Sequence, residues 1–98
     1  MYGLEDLLND VVTIKLVSGV ELIGKMIAYV KKDKFVTLQT PQTVIIADED
    51  LAVIPFCYTG QIDQVTFSLD NVLAIVKSTE KSTQDYLELL KSTEEVDK

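Results

Sequence analysis

Apolar and polar residues alternate along Val12-Thr-Ile-Lys-Leu16, with Val12, Ile14 and Leu16 on one face and Thr13 and Lys15 on the other. That period predicts a half-buried strand over residues 11–17. Ser18-Gly19 supplies a turn, and a second strand follows over 20–30. Here Val20, Leu22, Met26 and Ala28 share one side while Glu21, Ile23, Lys25, Ile27 and Tyr29 share the other. Two partly apolar faces suit a strand of a small barrel, and Gly24 sits where a strongly bent strand needs a missing side chain.

Lys31-Lys-Asp-Lys34 reads as a charged turn, with a third strand over 35–46 in which Pro41 breaks the ladder or marks an edge or bulge. Asp48-Glu-Asp50 is an acidic turn before the fourth strand, the apolar run 51–58. Residues 65–69 form a short strand ending at an Asp70-Asn71 turn, and 72–76 give the fifth strand. At the N-terminus Leu4, Leu7 and Leu8 have helical spacing, with Glu5 and Asp6 in the first turn, so a short amphipathic helix should cap the open end of the sheet. After residue 76 the composition shifts to Lys77-Ser-Thr-Glu-Lys-Ser-Thr83, which reads as a linker. Ser82, with Asp85 three positions on, reads as the N-cap of a C-terminal helix of roughly ten residues carrying Tyr86, Leu87, Leu89 and Leu90. The expected organisation is one β domain over 1–76 and a linker with a helical extension over 77–98.

The segments Val12 to Met26, with Gly19 and Gly24, and Val65 to Ile75, with Asp70-Asn71, together resemble the two signature motifs of the Sm-like family, the bent-sheet barrels of Sm, LSm and Hfq proteins. The resemblance covers about residues 4–76 and implies a mainly β fold: a strongly bent, five-stranded antiparallel sheet or small open barrel, flanked by a short N-terminal and a C-terminal helix. It also implies head-to-tail rings of six or seven copies joined through the fourth and fifth strands, for which Ile54, Phe56, Tyr58, Val65 and Phe67 are the expected interface residues. Pro55 fits such an edge only with its nitrogen turned away from the pairing side. The family's RNA-contacting positions are altered. Its loop Asp falls at Val30, its base-stacking residue near Lys32 and its Asn near Lys34, while its Arg-Gly pair is Ser68-Leu69. Ser is too short and uncharged to hold a nucleotide as Arg does.

Composition narrows the chemistry further. The chain has no His and no Arg; all nine positive side chains are Lys, against sixteen carboxylates, for a net charge of −7. Without His the usual proton shuttle near neutral pH is missing, and Ser-His-Asp or Cys-His catalysis is excluded. No paired carboxylates can be placed in a pocket, so an enzyme is not expected, nor is a metal site or a cofactor. Asp48-Glu-Asp50 lacks the glycine and spaced oxygens of a calcium loop. Cys57 is alone and is expected to be a buried strand residue. No apolar run approaches a bilayer span and nothing near Met1 resembles a signal peptide, which leads to the expectation of a cytosolic protein away from membranes.

Two functions remain. One is an RNA-binding ring in which Tyr29 stacks on a base, Lys31, Lys32 and Lys34 contact phosphates, and Ser68 and Asn71 supply hydrogen bonds to single-stranded RNA. The other is a protein-assembly scaffold that keeps the barrel without the RNA pocket and recruits a partner through Tyr86, Leu87, Leu89 and Leu90. The plainer explanations are a solvated hairpin tip for the lysines and packing onto the chain's own barrel for the helix.

Overall fold

A computed structural model describes residues 4–57, 59–60 and 63–96, with side chains described as far as Lys91. The strands are β1 (Val11–Leu16), β2 (Glu21–Val30), β3 (Phe35–Ala47), β4 (Asp50–Pro55), β5 (Gln64–Ser68) and β6 (Val72–Lys77), followed by helix α1 (Glu80–Val96). They form one antiparallel sheet in the order β4-β3-β2-β1-β6, with β5 also paired to β3.

The sheet has six strands rather than five. β4 pairs with the second half of β3, Gln42 opposite Pro55, while β5 pairs with the first half, Gln39 opposite Gln64. The two therefore occupy one interrupted position beside β3. The interruption begins at Pro55, which has no N–H to extend the ladder, and the chain returns to β3 at Gln64. Cys57, expected in a buried strand, lies beyond the end of β4 and is exposed for this reason. Tyr58 lies outside the described residues.

Bulges give the sheet its curvature. Ile23 pairs with Gln42 and Lys25 with Gln39, so Thr40 and Pro41 together face the single residue Gly24. A Cβ on Gly24 would stand 3.3 Å from the Gln39 carbonyl oxygen and from two Leu38 carbons, which accounts for the glycine. Thr40 takes the left-handed conformation (φ 45°), and its N–H donates to the Asp63 carbonyl at 2.9 Å. A second bulge, at Ile27, shifts the alternation of β2 by one. As a result Tyr29, expected on the same side as Lys25, packs half-buried against the main core.

That core comprises Leu7, Val12, Ile14, Leu22, Met26, Val36, Leu38 and Phe67. Each fully buried side chain of this kind is worth about 1.5–3 kcal/mol of transfer free energy. The N-terminal segment inserts Leu7 into it but is a 3-10 turn, Leu4–Leu7, and Leu8 is exposed. Backbone bonds between this segment and β2, Asn9 N–H to the Met26 carbonyl and Met26 N–H to the Asp10 carbonyl, bring the chain onto the sheet within one turn and leave no room for a longer helix.

The C-terminal helix is longer than its apolar pattern suggests and starts earlier. Thr79, not Ser82, is the cap: its Oγ1 accepts from the Ser82 N–H at 3.2 Å. Ser78 is buried and hydrogen-bonds Thr13 Oγ1 at 2.8 Å, so the chain between β6 and α1 is held against β1. Tyr86 is 3% exposed and packs with Val11 and Ile23, with Val44 and Leu90 at its margin. Its hydroxyl donates to the Gln39 carbonyl at 2.6 Å and lies 3.1 Å from the Thr40 carbonyl. The helix thus closes on the chain's own sheet, at the bulge where regular pairing lapses. Leu87 remains exposed.

Candidate functional site

Three turns meet at one end of the sheet. The β2–β3 turn holds Lys31, Lys32, Asp33 and Lys34, all exposed, and it closes with Lys34 in the left-handed conformation (φ 58°). The β5–β6 connection is a 3-10 turn, Leu69–Asn71, capped by Ser68, whose Oγ accepts from the Asp70 N–H at 3.2 Å. The Leu69 N–H donates to the Lys34 carbonyl at 2.9 Å, and Phe35 pairs with Ser68. On the far side the Asn71 carbonyl accepts from Val17 N–H at 2.9 Å, which joins the β1–β2 turn to the same cluster.

The lysine turn and the Ser68 to Asn71 turn are therefore in direct contact, although more than thirty positions separate them in the chain. The cluster has three ammonium groups, on Lys31, Lys32 and Lys34, against the carboxylates of Asp33 and Asp70. It is mildly positive within an acidic chain. Asp70 and the β1–β2 turn were not read from the sequence as parts of this surface. Only the backbone bonds at Lys34 and Asn71 reveal them, and nothing in the residue pattern foretells those bonds. The Ser68 hydroxyl is engaged in its own turn, and Leu69 is half-buried against the core, so neither reproduces an Arg-Gly pair.

The proposed interface residues are split by the fold. Phe67 is a core residue, and Phe56 meets it edge to face with ring centroids 5.3 Å apart. Val65 also packs on the core, and Ile54 is half-buried opposite Thr43. Phe56, Val65 and Phe67 thus support the strands from inside. Contact with another copy would fall to the strand edges: among the described residues β5 pairs only with β3 and β6 only with β1. Leu73 and Val76 of β6 are exposed, as are Leu51 and Val53 of β4. No cluster of metal-ligating side chains occurs among the described residues.

No protein-family model and no curated protein matches the chain. Solved structures do. A heptameric archaeal Sm protein matches with a TM-score of 0.55 at 18% identity, over 78% of this chain and 96% of that one. The Pyrococcus abyssii Sm protein, in complex with a uridine heptamer, gives 0.57 at 25% identity, over 76% of this chain and 92% of that one. A chain of the NatC complex bound to CoA gives 0.54 at 13% identity, over 87% of this chain and 95% of that one.

Proposed function

We propose, from the Sm-like fold that this chain shares with the archaeal Sm proteins, that it is a self-assembling module which presents a lysine-rich turn cluster to single-stranded RNA. The observation that carries this reading is the docking of the lysine turn on the Leu69–Asn71 turn through the 2.9 Å bond from Leu69 to Lys34. It holds three flexible ammonium groups around one rigid backbone platform. The likeness to a Sm protein in complex with a uridine heptamer supports RNA as the class of ligand.

Assembly follows from the open edges. Among the described residues β5 and β6 each have a side without a strand partner, and pairing β5 of one copy with β6 of the next is heterologous and would close into a ring of six or seven. Burial of Leu73 and Val76 would favour that closure. RNA contact by such a ring is mainly electrostatic: Lys provides point charges for phosphates, and no Arg is present for bidentate base recognition. Tyr29, half-buried, has only part of its ring free for stacking. The chemistry favours weak base preference and a steep dependence on salt.

Replacing Lys31, Lys32 and Lys34 together with Ala tests this site. The expected result is loss of binding to a labelled U-rich 12-mer at low salt with unchanged oligomeric mass. Unchanged affinity would sink it.

A second reading, a scaffold that binds protein and no RNA, is favoured by the net charge of −7 and by the use of Ser68 within its own turn. It predicts assembly without RNA affinity at any salt concentration. The likeness to a chain of the NatC complex shows the fold alone.

A further inference from the structure

Between α1 and the outer face of the β3–β4 hairpin runs an open groove of about 650 Å³. Its floor is apolar: Ile23, Val44, Leu51, Val53 and the ring of Tyr86. The register explains the grouping, since Val44 pairs with Val53 and Ile46 with Leu51, which puts all four side chains on the same face of the hairpin. Helix α1 packs Tyr86 on Ile23 and leaves the apolar residues nearer the hairpin tip uncovered. Ile46 is left 77% exposed, Leu51 70% and Val53 40%. A cluster of three large aliphatic side chains on one exposed face is more than the scattered apolar residues of an ordinary surface.

The rim is acidic on balance. Asp48, Glu49 and Asp50 form the hairpin tip, and Asp85 stands opposite on α1. The one cation on the rim, Lys81, is engaged by Asp85 at 3.0 Å. The carboxylates at the tip have no such counter-ion among the ion pairs of the described residues. An apolar floor inside an acidic rim selects an occupant with apolar anchors and flanking positive charge. RNA fails on charge. A second copy of this chain is disfavoured as well, because it is acidic overall and its one run of basic residues is the lysine turn, whose apolar neighbours Val30 and Phe35 are paired with each other in the β2–β3 ladder.

We infer that this groove is a docking site for a basic peptide segment of a protein partner, which seats leucine-like side chains on Ile23, Val44, Leu51 and Val53 and sets lysine or arginine against Glu49 and Asp50. The volume lies within the range of about 300–1,000 Å³ usual for ligand pockets. The site is separate from the turn cluster at the other half of β3 and does not depend on RNA binding.

The test is fluorescence anisotropy of three fluorescein-labelled peptides of roughly nine residues against the full chain. The first has two central leucines between lysine pairs, the second has glutamates for the lysines, and the third has serines for the leucines. The first should bind, and the other two at least about tenfold more weakly. Leu51→Gln and Asp50→Lys, both at exposed positions that leave the core intact, should each weaken the first peptide by about tenfold. An unlabelled U-rich 12-mer should not displace it. The inference is overturned if the acidic or serine peptide binds as well as the first, if both variants match the parent, or if RNA competes. Loss of the RNA reading alone, with these peptide results intact, leaves the groove assignment standing.

Discussion

Replacing Tyr86 with Phe keeps the buried ring and removes the hydroxyl that bonds the Gln39 carbonyl at 2.6 Å. The lost group sits where the bulge at Thr40 and Pro41 has taken β3 out of register with β2, and Tyr86 is 3% exposed, so water is poorly placed to replace it. A net hydrogen bond is worth about 0.5–1.5 kcal/mol, and a buried acceptor left without a partner costs about 1–3 kcal/mol. The Phe variant should therefore lose about 1.5 kcal/mol, which in a chain of 98 residues lowers Tm by roughly 6–12 °C. Tyr86→Ala, which also empties the ring's site against Val11 and Ile23, should cost about 3–5 kcal/mol. The assay is thermal and urea unfolding by far-UV circular dichroism at one fixed protein concentration, because self-association makes Tm concentration-dependent. A pH series adds an independent check. Burial holds the Tyr86 phenol above its ordinary value of 10.0, against a smaller opposing effect of the Lys25 backbone. Its contribution is thus complete below about pH 10 and is lost as pH rises through the higher folded value. The parent should lose stability in that alkaline range and the Phe variant should lose less. A Phe variant with the parent's Tm and the parent's alkaline slope would refute the role given to this hydroxyl.

Glu49 has a positive φ of 71° in the two-residue turn between β3 and β4, so Glu49→Gly should raise stability by about 0.5–1 kcal/mol, read as a higher urea midpoint with unchanged slope. Gly24→Ala forces a Cβ to within 3.3 Å of the Gln39 carbonyl oxygen and Leu38; the expected loss is about 1–2 kcal/mol in the same melt. Ser78→Ala removes the 2.8 Å bond to Thr13 at the entry to α1 and should cost about 0.5–1.5 kcal/mol, with faster amide exchange at Ser82 and Thr83 as the first sign.

The sequence displayed the strands of the sheet because their period is strong: Val12, Ile14 and Leu22 alternate as a buried face must, and all three are core residues. Gly19 marked its turn, with φ 97°, and Pro41 marked the bulge. What periodicity could not supply was interruption. A bulge at Ile27 moves Tyr29 inward without changing any residue type, and the ladder ends at Pro55, which leaves Cys57, expected inside the fourth strand, beyond its end and exposed. Helix capping was misplaced because Ser82 and Thr79 are chemically equivalent caps, and only the 3.2 Å bond from the Ser82 N–H distinguishes them. At the candidate site the lysines could be named from their run, and Ser68 and Asn71 from the Asp70-Asn71 turn. Their contact depends on the Phe35–Ser68 register, a long-range property that a local pattern does not encode. The acidic groove was likewise hidden, since α1 and the β3–β4 tip are remote in sequence and meet only through the sheet.

The proposed function has open edges assemble the chain and its lysine turns then hold RNA. It is tested most directly by titrating a labelled U-rich 12-mer at low and moderate salt while recording native mass on the same sample. The expected result is a closed oligomer of six or seven copies whose RNA affinity falls steeply with salt. A monomer at micromolar concentration, or an oligomer that binds no RNA even at low salt, would contradict it.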